Sequence, residues 1–312
     1  MIATHTVFVL GAGANVPYGF STGAGLVDKI RGKDPRTLMG NAGERTSEAQ
    51  SKAFRQAVED NLLPSIDALL EHRADLLVTG KRVMATVLYQ QERSAKPESS
   101  DTDWMALVFQ RMADGAASLE AFSRNAVSFV TFNYDRYLEY RLIRGLVSRY
   151  NVAPHDAWRA IGDKVIHLYG SLGDLPEQFA PATREVQYTV PLGAPEADNV
   201  YHLGLALPIA ESAIKIVHDM DQPPEPFEQA LQRIQAAQHV MFLGFGFGRK
   251  NVERLQTTAI PDTTLVFCTV FGMTDGELRD AVLPAFPRRN IRGYVWNLPV
   301  KQFLREQIDM LR

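Results

Sequence analysis

Cysteine is nearly absent: Cys268 is the only one in 312 residues. That excludes an intrachain disulfide and any zinc ribbon built on C-x-x-C pairs. Cys268 stands in the apolar run Leu265-Val266-Phe267-Cys268-Thr269-Val270, which reads as a buried strand, so its thiol is expected to be a small core hydrophobe. No apolar run approaches the roughly 18 residues needed to span a bilayer, and no membrane partner is expected. Residues 1–10 are too short and too poor in positive charge for a secretory leader, so the expected location is the cytoplasm. A dominant charge of one sign is lacking too. The net charge of −3 gives no support for direct nucleic-acid binding, although Arg288, Arg289 and Arg292 form a local basic patch. With 46% apolar and 22% charged residues, the chain has the composition of a soluble globular protein. Its length suits one large domain with a sizeable insertion, and a single domain over 1–312 is expected.

One glycine is missing where a common nucleotide fingerprint needs it. The strand-like run Val7-Phe8-Val9-Leu10 leads into Gly11-Ala12-Gly13-Ala14-Asn15. G-x-G-x-x-G would place glycine at 16, which is Val16. The acidic residue expected at a strand end about 20 residues on is also missing, because Asp28 and Asp34 fall in helix-like and polar stretches. A hydride-transfer enzyme is disfavoured. The turn is still of the kind that lets backbone N–H groups approach a diphosphate. The alternative is a turn that merely joins strand to helix.

Apolar runs at 6–10, 127–132, 164–169, 239–243 and 264–270 read as buried strands, with a sixth around 291–296. Helical patterns separate most of them, which predicts an α/β fold with a mainly parallel sheet. Residues 33 to about 125 interrupt this alternation with helical spacing, for example Leu62, Leu63, Ile66, Leu69 and Leu70. Pro64-Ser65 before Ile66-Asp67 marks a helix start, and further helices are predicted over 80–92 and 103–122. This stretch is a helical insertion between the first and second strands. The prolines between 176 and 199 predict a long loop, and Pro223-Pro224-Glu225-Pro226 breaks the helical pattern before Phe227.

Ligands of such sheets bind at the carboxyl ends of the strands. The second strand ends in Thr131-Phe132-Asn133-Tyr134-Asp135, where Asn133 and Asp135 could cap the next helix or face a ligand. The third carries His167-Leu168-Tyr169-Gly170-Ser171. His167 and Tyr169 are expected on one face, and His167 is either a general base near neutral pH or a core histidine bonded to backbone. The fourth runs into Gly244-Phe245-Gly246-Phe247-Gly248, which is either backbone close to a ligand or a tight turn with both phenylalanines packed inward.

Taken in order, G-A-G-A-N, T-F-N-Y-D, H-x-Y-G-S and G-F-G-F-G resemble the sirtuin-like NAD-binding superfamily. The likeness is greatest to the bacterial sirtuin-like proteins associated with NAD cleavage in antiphage defence. Ser65-Ile66-Asp67-Ala68-Leu69-Leu70, Phe132 through Glu139, and Phe271-Gly272-Met273-Thr274 with Glu277 extend it over nearly the whole chain. The resemblance implies a Rossmann-like, doubly wound sheet and NAD as substrate, released as nicotinamide and ADP-ribose. It implies that Gly11, Ala12, Gly13, Asn15 and Thr22 hold the diphosphate side. Asn133 and Asp135 match the catalytic Asn-x-Asp, and Gly244, Phe245, Gly246 and Asn251 match the adenine-side ribose site. The chain departs from the deacylating members in having Phe132 where they carry Gln, and in lacking the four-cysteine zinc module. The family histidine precedes a glycine, a position held here by Tyr169, so His167 is the expected base and Tyr169 the other candidate. A deacylase, an ADP-ribosyl transferase or a non-catalytic nucleotide sensor are the alternatives. An NAD hydrolase needs a gate, for which the insertion, the 176–199 stretch, homo-oligomerisation and a separate sensor or ATPase protein are the expected sources.

Overall fold

The structure, a computed structural model, describes residues 1–40, 46–180, 192, 196–216, 225–287 and 294–307. Six parallel strands form one sheet: β1 (Thr6–Leu10), β2 (Val127–Thr131), β3 (Val165–His167), β4 (His239–Leu243), β5 (Leu265–Thr269) and β6 (Val295–Trp296). Their order is β3-β2-β1-β4-β5-β6, with Phe8 in register with Phe129 on one side and Met241 on the other. The fold is α/β and Rossmann-like, as expected. Every residue of β1 and β2 is buried, which is why these strands read as unbroken apolar runs.

Successive side chains enter opposite cores. Phe8 and Leu10 pack with helices Trp104–Ala113, Tyr137–Tyr150 and Val300–Glu306, whereas Val7 and Val9 pack with helix Glu225–Ala236. Phe8 stacks on Phe129 with ring centroids 5.3 Å apart. Cys268 is fully buried in the second of these cores, and burial pushes its thiol pKa up. No helix of the described residues is long and apolar enough to cross a membrane.

The helices between Gly23 and Ser94 pack in a third core. Its axis is Leu77–Ser94, longer than the predicted 80–92. The expected helix start at Pro64-Ser65 is present: helix Ile66–Leu70 is capped by Ser65 Oγ, which accepts from Ala68 N at 3.1 Å. Leu62 and Leu63 lie outside any helix and are exposed, so the apolar spacing overstated that helix. The predicted 103–122 helix is two, Trp104–Ala113 and Leu119–Ser123, separated at Gly115, whose φ of 71° breaks the helical path.

The stretch from 176 to 199 is not all loop. Pro176–Gln178 forms a single turn, and helix Glu196–Ala213 begins inside the stretch. That helix contributes Leu207 and Ala210 to the core of the insertion, and Glu211 bonds Arg82 of the long helix at 2.6 Å. The helical body is therefore assembled from two separate parts of the chain. Residues 181–191, 193–195, Pro223, Pro224, and the basic patch Arg288, Arg289 and Arg292 lie outside the described residues.

Two glycine turns meet at the carboxyl edge of β1 and β4. Gly11 N donates to Leu243 O and Gly13 N to Gly244 O, each at 3.0 Å. A Cβ on Gly244 would stand 2.0 Å from Ala14 N, and one on Gly11 2.5 Å from Gly244 O. Gly244 also has a φ of 57°, disfavoured for any residue with a side chain. Gly246 has open space around its Cβ position. Gly244→Ala is expected to destabilise the protein by at least about 2 kcal/mol, combining left-handed strain and overpacking. Gly246→Ala should stay within about 0.5 kcal/mol of wild type. Urea unfolding of both variants checks this, and equal stabilities would show that the turns can separate.

Candidate functional site

The loop after β2 carries most of the site. Asn133 is anchored by its backbone, its N–H donating to Thr131 Oγ1 at 3.0 Å, and its Nδ2 donates to Gly11 O at 3.3 Å. It does not cap the following helix, which starts only at Tyr137. Asp135 precedes the N-cap residue Arg136, and Tyr137 N donates to its Oδ1 at 3.2 Å. Asn15 Nδ2 lies 2.9 and 3.0 Å from the two oxygens of the same carboxylate. The first glycine turn and the β2 loop are thus locked together by buried polar groups.

These residues converge on a small inner cavity of about 110 Å³, which Asn15, Thr22, Asn133 and Asp135 line together with Asp67 and Tyr134. Asn15 is 3% exposed, and its Oδ1 has no hydrogen-bond partner, leaving an acceptor at the cavity wall. Thr22 Oγ1 caps helix Gly23–Ile30, accepting from Gly25 N at 3.2 Å. Burial raises the Asp135 pKa to about 7. The nearby Glu92 and Glu139 charges add to the rise, while the bonds from Asn15 and Tyr137 oppose it.

The inner cavity adjoins an outer cleft of about 420 Å³, and Asp67, Phe132 and Tyr134 line both. The outer cleft reaches Tyr169 and the segment Gly248–Asn251. Here the Tyr169 hydroxyl donates to Asn251 Oδ1 at 2.7 Å and accepts from Arg254 at 3.0 Å. Lys250 pairs with Glu71 across the cleft. Phe245 and Phe247 are buried and packed on Phe242, so the inward-packed alternative holds for both. Gly246 is exposed.

His167 is brought to Asn133 but not to the cavity. Its Nδ1 donates to Asn133 O at 2.8 Å, since a carbonyl only accepts. Its Nε2 lies 2.7 Å from Glu139 Oε1. Burial disfavours the imidazolium, but the Glu139 carboxylate and the two hydrogen bonds outweigh it, and the pKa rises above the ordinary value. A ring with both nitrogens bonded in this way has no free lone pair for water, and His167 lines neither cavity. The expected shared face with Tyr169 is also absent. His167 points to Glu139 of helix Tyr137–Tyr150, whereas Tyr169 packs on Phe227 of helix Glu225–Ala236, on the other side of the sheet. β3 ends at His167, so the alternation does not continue to Tyr169.

The first glycine turn is less open to an anion than its sequence suggested. The N–H groups of Gly11, Gly13, Ala14 and Asn15 all donate to protein carbonyls, and of its residues only Ala12 and Asn15 line the inner cavity. The glycines permit close approach, but the group that approaches is the second turn.

Sequence reading passed over Glu92, Glu139 and the role of Asp67. Glu92 sits in the long helix of the insertion, where a charged residue reads as solvent-facing, yet it is paired with Arg136 at 2.6 Å and both are 2% exposed. Its Oε1 also accepts from Arg136 N at 2.6 Å. Asp67 reads as an ordinary first-turn acid. No known protein-family model matches the chain, and no curated protein does.

The raised Asp135 pKa has a direct thermodynamic consequence. The folded protein holds this proton up to about pH 7, while the unfolded chain releases it near the ordinary carboxylate pKa of about 3.9. Stability therefore falls as pH rises between these values and levels off above. Asp135→Asn mimics the protonated form, and a turned Asn15 amide can present its unpartnered Oδ1 to the new NH2. The difference in melting temperature between Asp135→Asn and wild type should grow in the variant's favour from pH 4.5 to pH 8. A difference independent of pH would show that Asp135 is not desolvated in solution.

Proposed function

We propose that this chain is an NAD+ hydrolase of the sirtuin-like kind that releases nicotinamide and ADP-ribose, acting as a regulated effector in bacterial antiphage defence. The observation that carries the reading is the meeting of Asn15, Asn133 and Asp135 in one small cavity at the carboxyl edge of a parallel sheet. That cavity opens on an aromatic-lined cleft. The resemblance of the four strand-end motifs supplies the identity of the substrate.

The pyridinium of NAD+ is already a good leaving group. Catalysis then requires a ribose held in reactive pose, tolerance of positive charge at C1′ and a water aimed at that carbon. Such positioning supplies several kcal/mol of a barrier. In this reading Asn133 directs the water and a ribose hydroxyl, and the Asn15–Asp135 pair fixes the wall beside it. His167 is a positioning residue that holds the Asn133 backbone through its carbonyl. The N-terminus of helix Gly23–Ile30 lines the inner cavity through Thr22 and Gly23, and a helix start of this kind suits an anion. Tyr169 and Asn251 serve the outer, adenine-side part.

A non-catalytic nucleotide sensor is the second reading, favoured by the full engagement of His167. Exposed Leu62, Leu63 and Val78 on the insertion suit a homo-oligomer, in which a neighbouring subunit or a separate sensor or ATPase protein controls access.

Asn133→Ala should lower nicotinamide release by about 100-fold or more while leaving the melting temperature within a few degrees, since it removes one long hydrogen bond worth about 1 kcal/mol. Chromatography of NAD+ reactions checks the first half and calorimetry the second. NAD+ binding without release of nicotinamide, in wild type and variant alike, would favour the sensor.

A further inference from the structure

The hydrolase reading leaves one chemical role unfilled: a group to take the proton from the attacking water. His167 lacks a free lone pair. Asp135 has both oxygens bonded by Asn15 and one also by Tyr137 N.

Asp67 is differently placed. It lies in the first turn of helix Ile66–Leu70, in the insertion rather than at a strand end. It lines both the inner cavity and the outer cleft, at the waist where they meet. The Tyr134 hydroxyl donates to its Oδ1 at 2.6 Å, and no other side chain of the described residues bonds its Oδ2. Tyr134 stands between Asn133 and Asp135 in sequence, so one short loop positions both the water-directing amide and the partner of this carboxylate. At about 110 Å³, against roughly 30 Å³ per water molecule in the liquid, the inner cavity holds only a few waters. Asp67 and Asn133 therefore bound the same small volume.

We propose that Asp67 is the general base of the hydrolysis, oriented by Tyr134, and that the insertion thereby supplies a catalytic residue to the sheet. The assignment rests on the hydrolase reading. In the step, the C1′–N bond of NAD+ breaks and its electron pair neutralises the pyridinium, giving nicotinamide. The water oxygen bonds C1′, and the proton of that water passes to Asp67 Oδ2 and then to solvent.

The titratable and charged groups facing Asp67 come from four segments. They are Glu71 on its own segment, Tyr134 and Asp135 from the β2 loop, Tyr169 beyond β3, and Arg249 and Lys250 beyond β4. Burial raises the pKa of Asp67, the Tyr134 hydrogen bond opposes that rise, and the Glu71 charge adds to it. A carboxylate moved towards neutrality is a stronger base than an exposed one.

The test measures nicotinamide release and NAD+ binding with the full chain. Asp67→Asn should lower kcat by about 10²–10⁴-fold and leave the NAD+ dissociation constant, by titration calorimetry, within about threefold, the mark of an interaction made in the transition state. Tyr134→Phe removes the bond that holds the Asp67 pKa down. The base must be ionised to act, so the acid limb of the kcat–pH profile should move to higher pH. A purely structural Tyr134 would lower the rate at every pH without moving the limb. Should Asp67→Asn fail to fold, the Tyr134→Phe profile decides alone. A folded Asp67→Asn that turns over at the wild-type rate, or that loses NAD+ binding, overturns the assignment and leaves the hydrolase reading standing. Wild-type protein that binds NAD+ without cleaving it overturns both.

Discussion

The contact between the two glycine turns sets the layout of everything around it. With the strand order β3-β2-β1-β4-β5-β6, the strand order reverses between β1 and β4, and a crevice for ligand is expected there. In this protein the turns after those strands fold on each other backbone to backbone, at distances that only glycine allows. The crevice is closed by the chain itself. Open space is displaced towards β2, where the inner cavity lies between the first turn, the β2 loop and the insertion. The close approach also turns Asn15 towards Asp135, so the floor of the cavity follows from the same constraint.

A second constraint is electrostatic. Asp135, Glu92 and Glu139 crowd the start of helix Tyr137–Tyr150, and three buried acids cannot all stay charged without partners. Arg136 answers Glu92 through two side-chain bonds and its own N–H. His167 answers Glu139, and Asp135 answers by holding a proton to about pH 7. This explains why His167 is a poor candidate for base: both of its ring nitrogens are engaged in holding the network together. The network also fixes the insertion to the sheet, since Glu92 comes from one and Arg136 from the other. Removing one member of such a buried pair costs about 3–5 kcal/mol, and the Glu92–Arg136 pair therefore also secures the insertion's position over the site.

The sheet was legible because parallel strands buried on both faces leave unbroken apolar runs between helical patterns. All six runs contain a strand; among the described residues the ends are trimmed by one or two residues where the apolar run outlasts the ladder, and 291–293 of the sixth run lie outside the described residues. The strand-end rule also led to Asn133, Asp135 and Asn15. What could not be read was the partner of each group. A glycine pattern states that something comes close, not whether it is phosphate or the second turn. Parity along a strand holds only while the strand lasts, and β3 stops at His167, which sends Tyr169 to the opposite core. Helix Glu196–Ala213 was hidden because Pro191, Pro195 and Pro208 dominate its neighbourhood. Its partner, the long helix Leu77–Ser94, lies more than a hundred residues away in the chain.

On the assignment of Asp67 as base, access and competence are opposed within one rigid element. The insertion walls the outer cleft and is tied across it by Lys250–Glu71 and by Tyr134–Asp67. Moving the insertion away from the sheet widens the cleft for a dinucleotide. It also withdraws Asp67 from the inner cavity and breaks its bond to Tyr134. On that assignment, a site opened in this way would be without its base. A partner subunit resting on the outer face of the insertion would act on turnover through the same displacement, because a single helix carries both the wall and the carboxylate.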